Sequence, residues 1–191
     1  ICINMMLSQD TEPEIKYGDT FKNYLQYLYN LRISVPNKDI VLFDDDVKGA
    51  FRHPKYHPDV AAAFSFIIAC ILFITLGNTF GSVVSPSNFE PIAKARVHLA
   101  KYLSNRRDLY EKYKYIIDKV KFGEPESKDT KFSQSRKDSI NPGIENLCET
   151  EYNMFVDDSL FAHTRDTIKH SMATSIEALY IILGFPNVEV R

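Results

Sequence analysis

The chain has 191 residues, 45% of them hydrophobic, with 23 basic and 25 acidic side chains and a formal net charge of −2. That length holds one domain of ordinary size, or one and part of another, and that apolar content excludes a globally disordered chain. The slightly acidic balance excludes the uniformly basic class of nucleic-acid-binding domains, so any such role needs a local basic surface.

Residues 1–18 are polar or irregular, with Pro13 and Gly18 as breakers. No charged region precedes an apolar run, so no secretory signal is expected. Cys2, Cys70 and Cys148 are scattered and odd in number. They make neither a disulfide framework nor a zinc spacing, which favours a reducing, intracellular compartment, cytoplasmic or nuclear. Both ends read as cut, as expected of a piece of a larger polyprotein.

Asp19 or Thr20 is placed to cap a helix whose Phe21, Leu25, Leu28 and Leu31 share one face. Pro36-Asn37 ends it. Asp39-Ile40-Val41-Leu42-Phe43 reads as a short buried strand running into Asp44-Asp45-Asp46-Val47-Lys48-Gly49-Ala50-Phe51. Three carboxylates at the end of an apolar strand are unusual for a plain surface loop. His53 and His57 stand four apart, but Pro54 and Pro58 oppose a regular helix there, and no third ligand is near for zinc.

Residues 61–77 carry no charge. The run is at the short limit for a membrane-spanning helix, which leaves a single-pass span as one reading. Its second half is β-branched and aromatic, so the main expectation is a buried helix over about residues 58–69 leading into a buried strand over 71–76. Gly77 and Gly81 allow tight backbone or close approach to a ligand. Ser85-Pro86 reads as N-cap and first helical residue, with Ser87 and Glu90 as an alternative capping box. Pro91 implies a later start or a kink. A second helical run over about 106–121 puts Leu109, Tyr113, Ile116, Ile117 and Val120 on one face and mostly basic residues on the other. The Ser/Lys/Asp-rich stretch from Gly123 to Pro142 reads as a flexible loop.

Glu151 to Ala162 reads as strand–turn–strand, with Met154 to Val156 rising, Leu160 to Ala162 descending, and Asp157-Asp158 at the tip. A structural turn needs only one Asp or Asn, usually beside Gly. Two crowded carboxylates repel unless a cation is present, and oxygen ligands favour Mg²⁺. A helix over 163–183 follows, stopped by Gly184.

Three pieces therefore stand in order: an acid-ended strand, a Gly-Ser-Pro helix entry and an Asp-Asp hairpin. Carboxylates brought from separate strands are what two-metal phosphoryl transfer requires. The order resembles the palm of reverse transcriptases of retrotransposons and retroviruses. Asp46-Val47-Lys48-Gly49-Ala50-Phe51 resembles the family's first motif, an Asp followed five residues later by an aromatic; Phe80-Gly81 with Ser85-Pro86 and Phe89 resembles the second, and Phe155-Val156-Asp157-Asp158 the third. The resemblance covers about residues 39–184 apart from the loop.

It implies an α+β, ferredoxin-like palm, a small antiparallel sheet backed by helices, occupying 39–191 with a flexible insertion at about 122–150. Residues 1–38 would be a remnant of the fingers, and the thumb is absent. It implies that Asp46 and Asp157 bind two Mg²⁺ ions, for which Mn²⁺ can substitute, with the Val47 carbonyl as a further ligand and Asp158 as an auxiliary acid. The Gly49 and Ala50 N–H groups would face the triphosphate, Phe51 would exclude a ribose 2′-OH, and Phe80 and Gly81 would line the nucleotide and template pocket. Implied partners are a primed RNA or DNA template, a dNTP and the rest of a polyprotein with fingers, thumb, ribonuclease H and integrase regions, and no membrane. Phe80 stands where many members carry Gln. The rival reading is a degenerate copy that only binds nucleic acid or protein.

Overall fold

The computed structural model describes residues 18–122, 152–155, 157–184 and 188–190. At its centre lies β1 (Ile40–Val47), the stretch in which the apolar run meets the three aspartates. The strand does not stop before the acids. Its burial alternates, with Phe43, Asp45 and Val47 buried and Leu42 and Asp44 exposed, as the two-residue period of a pleated strand requires. β1 pairs antiparallel with β5 (Asp158–Thr164) on one side and β6 (Val188–Val190) on the other; β4 (Asn153–Phe155) pairs antiparallel with β5. The sheet order is β4-β5-β1-β6.

Three helices cover the face that carries Phe43, Asp45 and Val47. They are α3 (Ser85–Leu103), α4 (Leu109–Ile117) and α5 (Ile168–Leu183). Phe43 and Phe161 from the sheet meet Ile168, Met172 and Ile176 of α5, Leu103 of α3, and Leu109, Tyr113 and Ile117 of α4. A second cluster joins Val47 and Met154 to Phe89 and Ala93 of α3 and Leu179 of α5. The fold is thus α+β. The opposite face is partly covered by α1 (Gly18–Ser34): Tyr24, Tyr27 and Leu31 pack on Ala162, and the Tyr27 hydroxyl donates to the Ala162 carbonyl at 2.5 Å.

Several expectations shift. The buried face of α1 is Tyr24, Tyr27 and Leu31, while Phe21 and Leu25 stay exposed. The stripe is rotated because tyrosines bury their rings while the hydroxyl keeps a polar partner. The helix expected from residue 163 starts at Ile168, since His163 and Thr164 complete β5 against Val41 and Ile40. The helix expected over 106–121 is confined to α4. Ser85 does not cap α3. Val84 holds that position, and the Ser85 hydroxyl donates to the Thr79 carbonyl. Pro86 opens the helix and Pro91 lies inside it. The expected loop over 123–142 and the start of the fingers remnant fall outside the described residues.

The largest correction concerns 58–76. The helix, α2 (Pro58–Ala63), is one and a half turns long, and the rest is a hairpin of β2 (Phe66–Ile68) and β3 (Ile71–Phe73). Ala69 and Cys70 form its turn with φ of 49° and 64°, the left-handed pair that a two-residue turn demands. The strands are not buried: Ile67 is 69% and Leu72 58% exposed. An unbroken apolar run without period signals burial, but here only one stacked ring pair, Phe66 on Phe73, is internal to the ribbon. Among the described residues no helix is long and apolar enough to cross a membrane.

Candidate carboxylate site

Strand pleating sets Asp45 on one face of β1 and Asp44 and Asp46 on the other. Asp44 is exposed. Asp45 points into the helical layer and is 1% exposed. Arg96 of α3 meets it there, with Nη2 donating to Asp45 Oδ2 at 2.7 Å and to Ser175 Oγ of α5 at 2.9 Å. The Ser159 hydroxyl donates to the other Asp45 oxygen, and Ser175 donates to Oδ2 at 3.3 Å. Arg96 itself is 1% exposed, with Nε and Nη1 unpartnered among the described residues. Asp45 is therefore committed to a buried ion pair that joins β1, β5, α3 and α5. It is unavailable to a metal.

Asp46 is partly exposed, on the other face. The β1–β5 register sets it directly opposite Asp158, and residues opposite each other in an antiparallel pair share a face with Cα atoms about 4.5–5.5 Å apart. Asp157 lies in the turn that joins β4 to β5, immediately before Asp158. A chain separation of more than a hundred residues is thus closed by one strand pairing. The hairpin tip differs from expectation: Asp158 opens β5 and pairs with Phe155, so only Asp157 of the two acids is in the turn. On its other side Asp46 pairs with Glu189 of β6. Sequence reasoning missed this position because a three-residue strand after a helix stop carries no periodic signal. Among the described residues, no three His, Cys, Asp or Glu side chains are already gathered in metal-ligand geometry. The donor set of hard carboxylate oxygens suits Mg²⁺ or Mn²⁺ chemically.

The segment after β1 turns sharply. Gly49 adopts φ 62°, and a 3-10 turn, Ala50–Arg52, follows with Ala50 buried. Val47 is buried on the helical face and pairs with Val188. Phe51 packs edge-on against Phe89 of α3 and against Phe80, at centroid distances of 6.2 and 5.6 Å. The first and second sequence motifs therefore touch through these rings. Phe80 is 71% exposed, and Gly81 beside it has φ 84°.

A cleft of about 410 Å³ lies next to Phe80, lined by Arg52, Lys55, Gly77 and Asn78. Gly77 is required there by close approach, because a Cβ would sit 2.7 Å from the Arg52 carbonyl oxygen. Lys55 donates to that same carbonyl at 2.8 Å. Arg52 and Lys55 were not legible as site residues, since isolated cations between prolines resemble any solvated loop. His53 and His57 are not joined as a metal pair: His53 bonds the Lys48 carbonyl and His57 faces Asp59.

No family profile matches the chain, and no curated protein or solved structure is significantly similar to it.

Proposed function

We propose that the chain is the palm segment of an RNA-directed DNA polymerase, transferring a nucleotidyl group from a dNTP to a primer 3′-OH with two Mg²⁺ ions. The observation that carries this reading is the β1–β5 register, which sets Asp46 against Asp158 with Asp157 adjoining. In this reading the fold is a ferredoxin-like palm. Asp46 and Asp157 would hold the ions, which when bound would stabilise the charge on the attacking and leaving oxygens. Asp158 supplements them, and the Val47 carbonyl adds a ligand.

The chain's own residues supply position. The Gly49 turn directs the Gly49 and Ala50 N–H groups to the triphosphate, the way backbone nests hold anions. Arg52 and Lys55 line the cleft beside Phe80 and add positive charge to it. Phe51 packs under the sugar, and Phe80 with Gly81 borders the base. In-line attack on the α-phosphate then releases pyrophosphate, with positioning and charge neutralisation as the main terms.

The test is primer extension in a longer chain that also carries fingers and thumb. Extension is expected from the native residues and a loss of at least about 10³-fold from Asp46→Asn or Asp157→Asn, the scale of losing a principal electrostatic group. Undiminished extension by either variant refutes the reading.

A further inference from the structure

A groove of about 350 Å³ runs between α3 and the outer edge of β4, on the side of the sheet away from β1. Its helical wall presents Lys94, His98 and Lys101, spaced four and three apart and so aligned in one stripe. Its other wall is β4 itself, with Asn153 and Met154, and Thr20 of α1 adds a hydroxyl.

Strand chemistry adds a donor. Phe155 and Asp158 close a two-residue turn, where the closing pair exchanges its hydrogen bonds. Ladder alternation then turns the Met154 N–H and C=O away from β5, out over the edge. Asn153 supplies a second signal: its Nδ2 is buried with no hydrogen-bond partner among the described residues. An unmade hydrogen bond at a buried donor is costly, and an acceptor seated in the groove would relieve it. Glu90 is the one acid in the lining among the described residues, and Lys94 neutralises it at 2.8 Å. Lys101 makes no salt bridge among the described residues, so the groove keeps a net positive charge.

Cations, a strand-edge N–H, an amide side chain and a hydroxyl line the same groove. A phosphate matches them, with its charge and several acceptor oxygens. Asp157 stands three residues beyond Met154, at most about 10 Å of extended chain away. We propose that this groove seats a backbone phosphate of a nucleic-acid strand whose adjoining nucleotides reach the carboxylate row. The strand's role as template or primer rests on the polymerase reading; the groove's affinity for it does not.

The test is fluorescence anisotropy of the 191-residue chain with a labelled mixed-sequence single-stranded oligonucleotide across a salt series. Each phosphate contact on a single strand contributes about 0.7 to the slope of log K against log salt. Lys94→Gln/Lys101→Gln removes the one phosphate contact and is therefore expected to reduce that slope by about 0.7, and to weaken binding at least about tenfold at 0.1 M salt, equally for unrelated sequences. Lys119→Gln/Lys121→Gln, outside the groove, should leave both unchanged. Asn153→Asp should weaken binding further by adding an anion. An unchanged slope in the first double variant overturns the proposal, as does displacement of the oligonucleotide by polyglutamate at equal charge concentration. A wild-type chain that binds Mn²⁺ but no oligonucleotide overturns the groove and leaves the polymerase reading standing; one that binds neither overturns both.

Discussion

Three adjacent aspartates have different roles: the pleat buries Asp45 and leaves Asp44 and Asp46 on the other face, where the register sets Asp44 opposite Leu160 and Asp46 opposite Asp158. Asp45 is the structural one. Burying a carboxylate and a guanidinium costs several kcal/mol per ion, which their attraction and hydrogen bonds must offset. Removing one partner strands the other charge, so Asp45→Ala is expected to destabilise the fold by about 3–5 kcal/mol in urea unfolding. Asp45→Leu/Arg96→Met should recover much of that loss, since apolar replacement of a buried pair is often neutral. A cost under about 1 kcal/mol for Asp45→Ala would mean that the pair does not fix β1 on the helices. Phe51 belongs to this scale as well. In a longer chain that also carries fingers and thumb, Phe51→Ala should lower the dNTP-to-rNTP ratio of kcat/KM by at least about tenfold, about 1.4 kcal/mol, without changing metal affinity. An unchanged ratio would leave Phe51 as packing between Phe80 and Phe89.

Among the elements, the β2–β3 hairpin and the α4–α5 contact make opposite demands. The hairpin turn places Ala69 and Cys70 in left-handed backbone, at about 1–2 kcal/mol per non-glycine residue. Ala69→Asn/Cys70→Gly should therefore slow hydrogen exchange across 66–73, and faster exchange would show that another turn is preferred. At the helix contact, Glu177 of α5 accepts hydrogen bonds from Lys112 and Tyr113 of α4, the former at 2.6 Å. Burial pushes the Glu177 carboxyl up, but these two bonds outweigh it and hold it below its ordinary 4.5. Its folded value is depressed, so its stabilisation is present above about pH 4.5 and disappears as pH falls through the folded value. Wild type should lose stability more steeply than Glu177→Gln on acidification below that pH, and parallel curves would refute the assignment. The same Glu177 and burial raise the Tyr113 hydroxyl, burial being the larger cause.

Over the whole molecule, the sequence carried the strands that hold the acids, the α3 entry and the Gly184 stop. Each has a local cause: an apolar run beside turn chemistry, a proline at the first helical turn, a glycine at φ 76°. It did not carry the long-range terms. Nothing local tells Asp45 from Asp46 until the register is known, and Arg96, the pair's partner, looks like any helix cation. The 61–77 run misled because hydrophobicity without period reports apolar surface, not what covers it. β6 was invisible for want of length. The central claim is that Asp46 and Asp157 hold a divalent cation while Asp44 does not. It is tested most directly by Mn²⁺ titration of this chain, read by electron paramagnetic resonance, for wild type, Asp44→Asn, Asp46→Asn and Asp157→Asn. The account predicts that wild type and Asp44→Asn bind alike and that the other two lose at least about tenfold in affinity, about 1.4 kcal/mol; equal affinity in all four would contradict it.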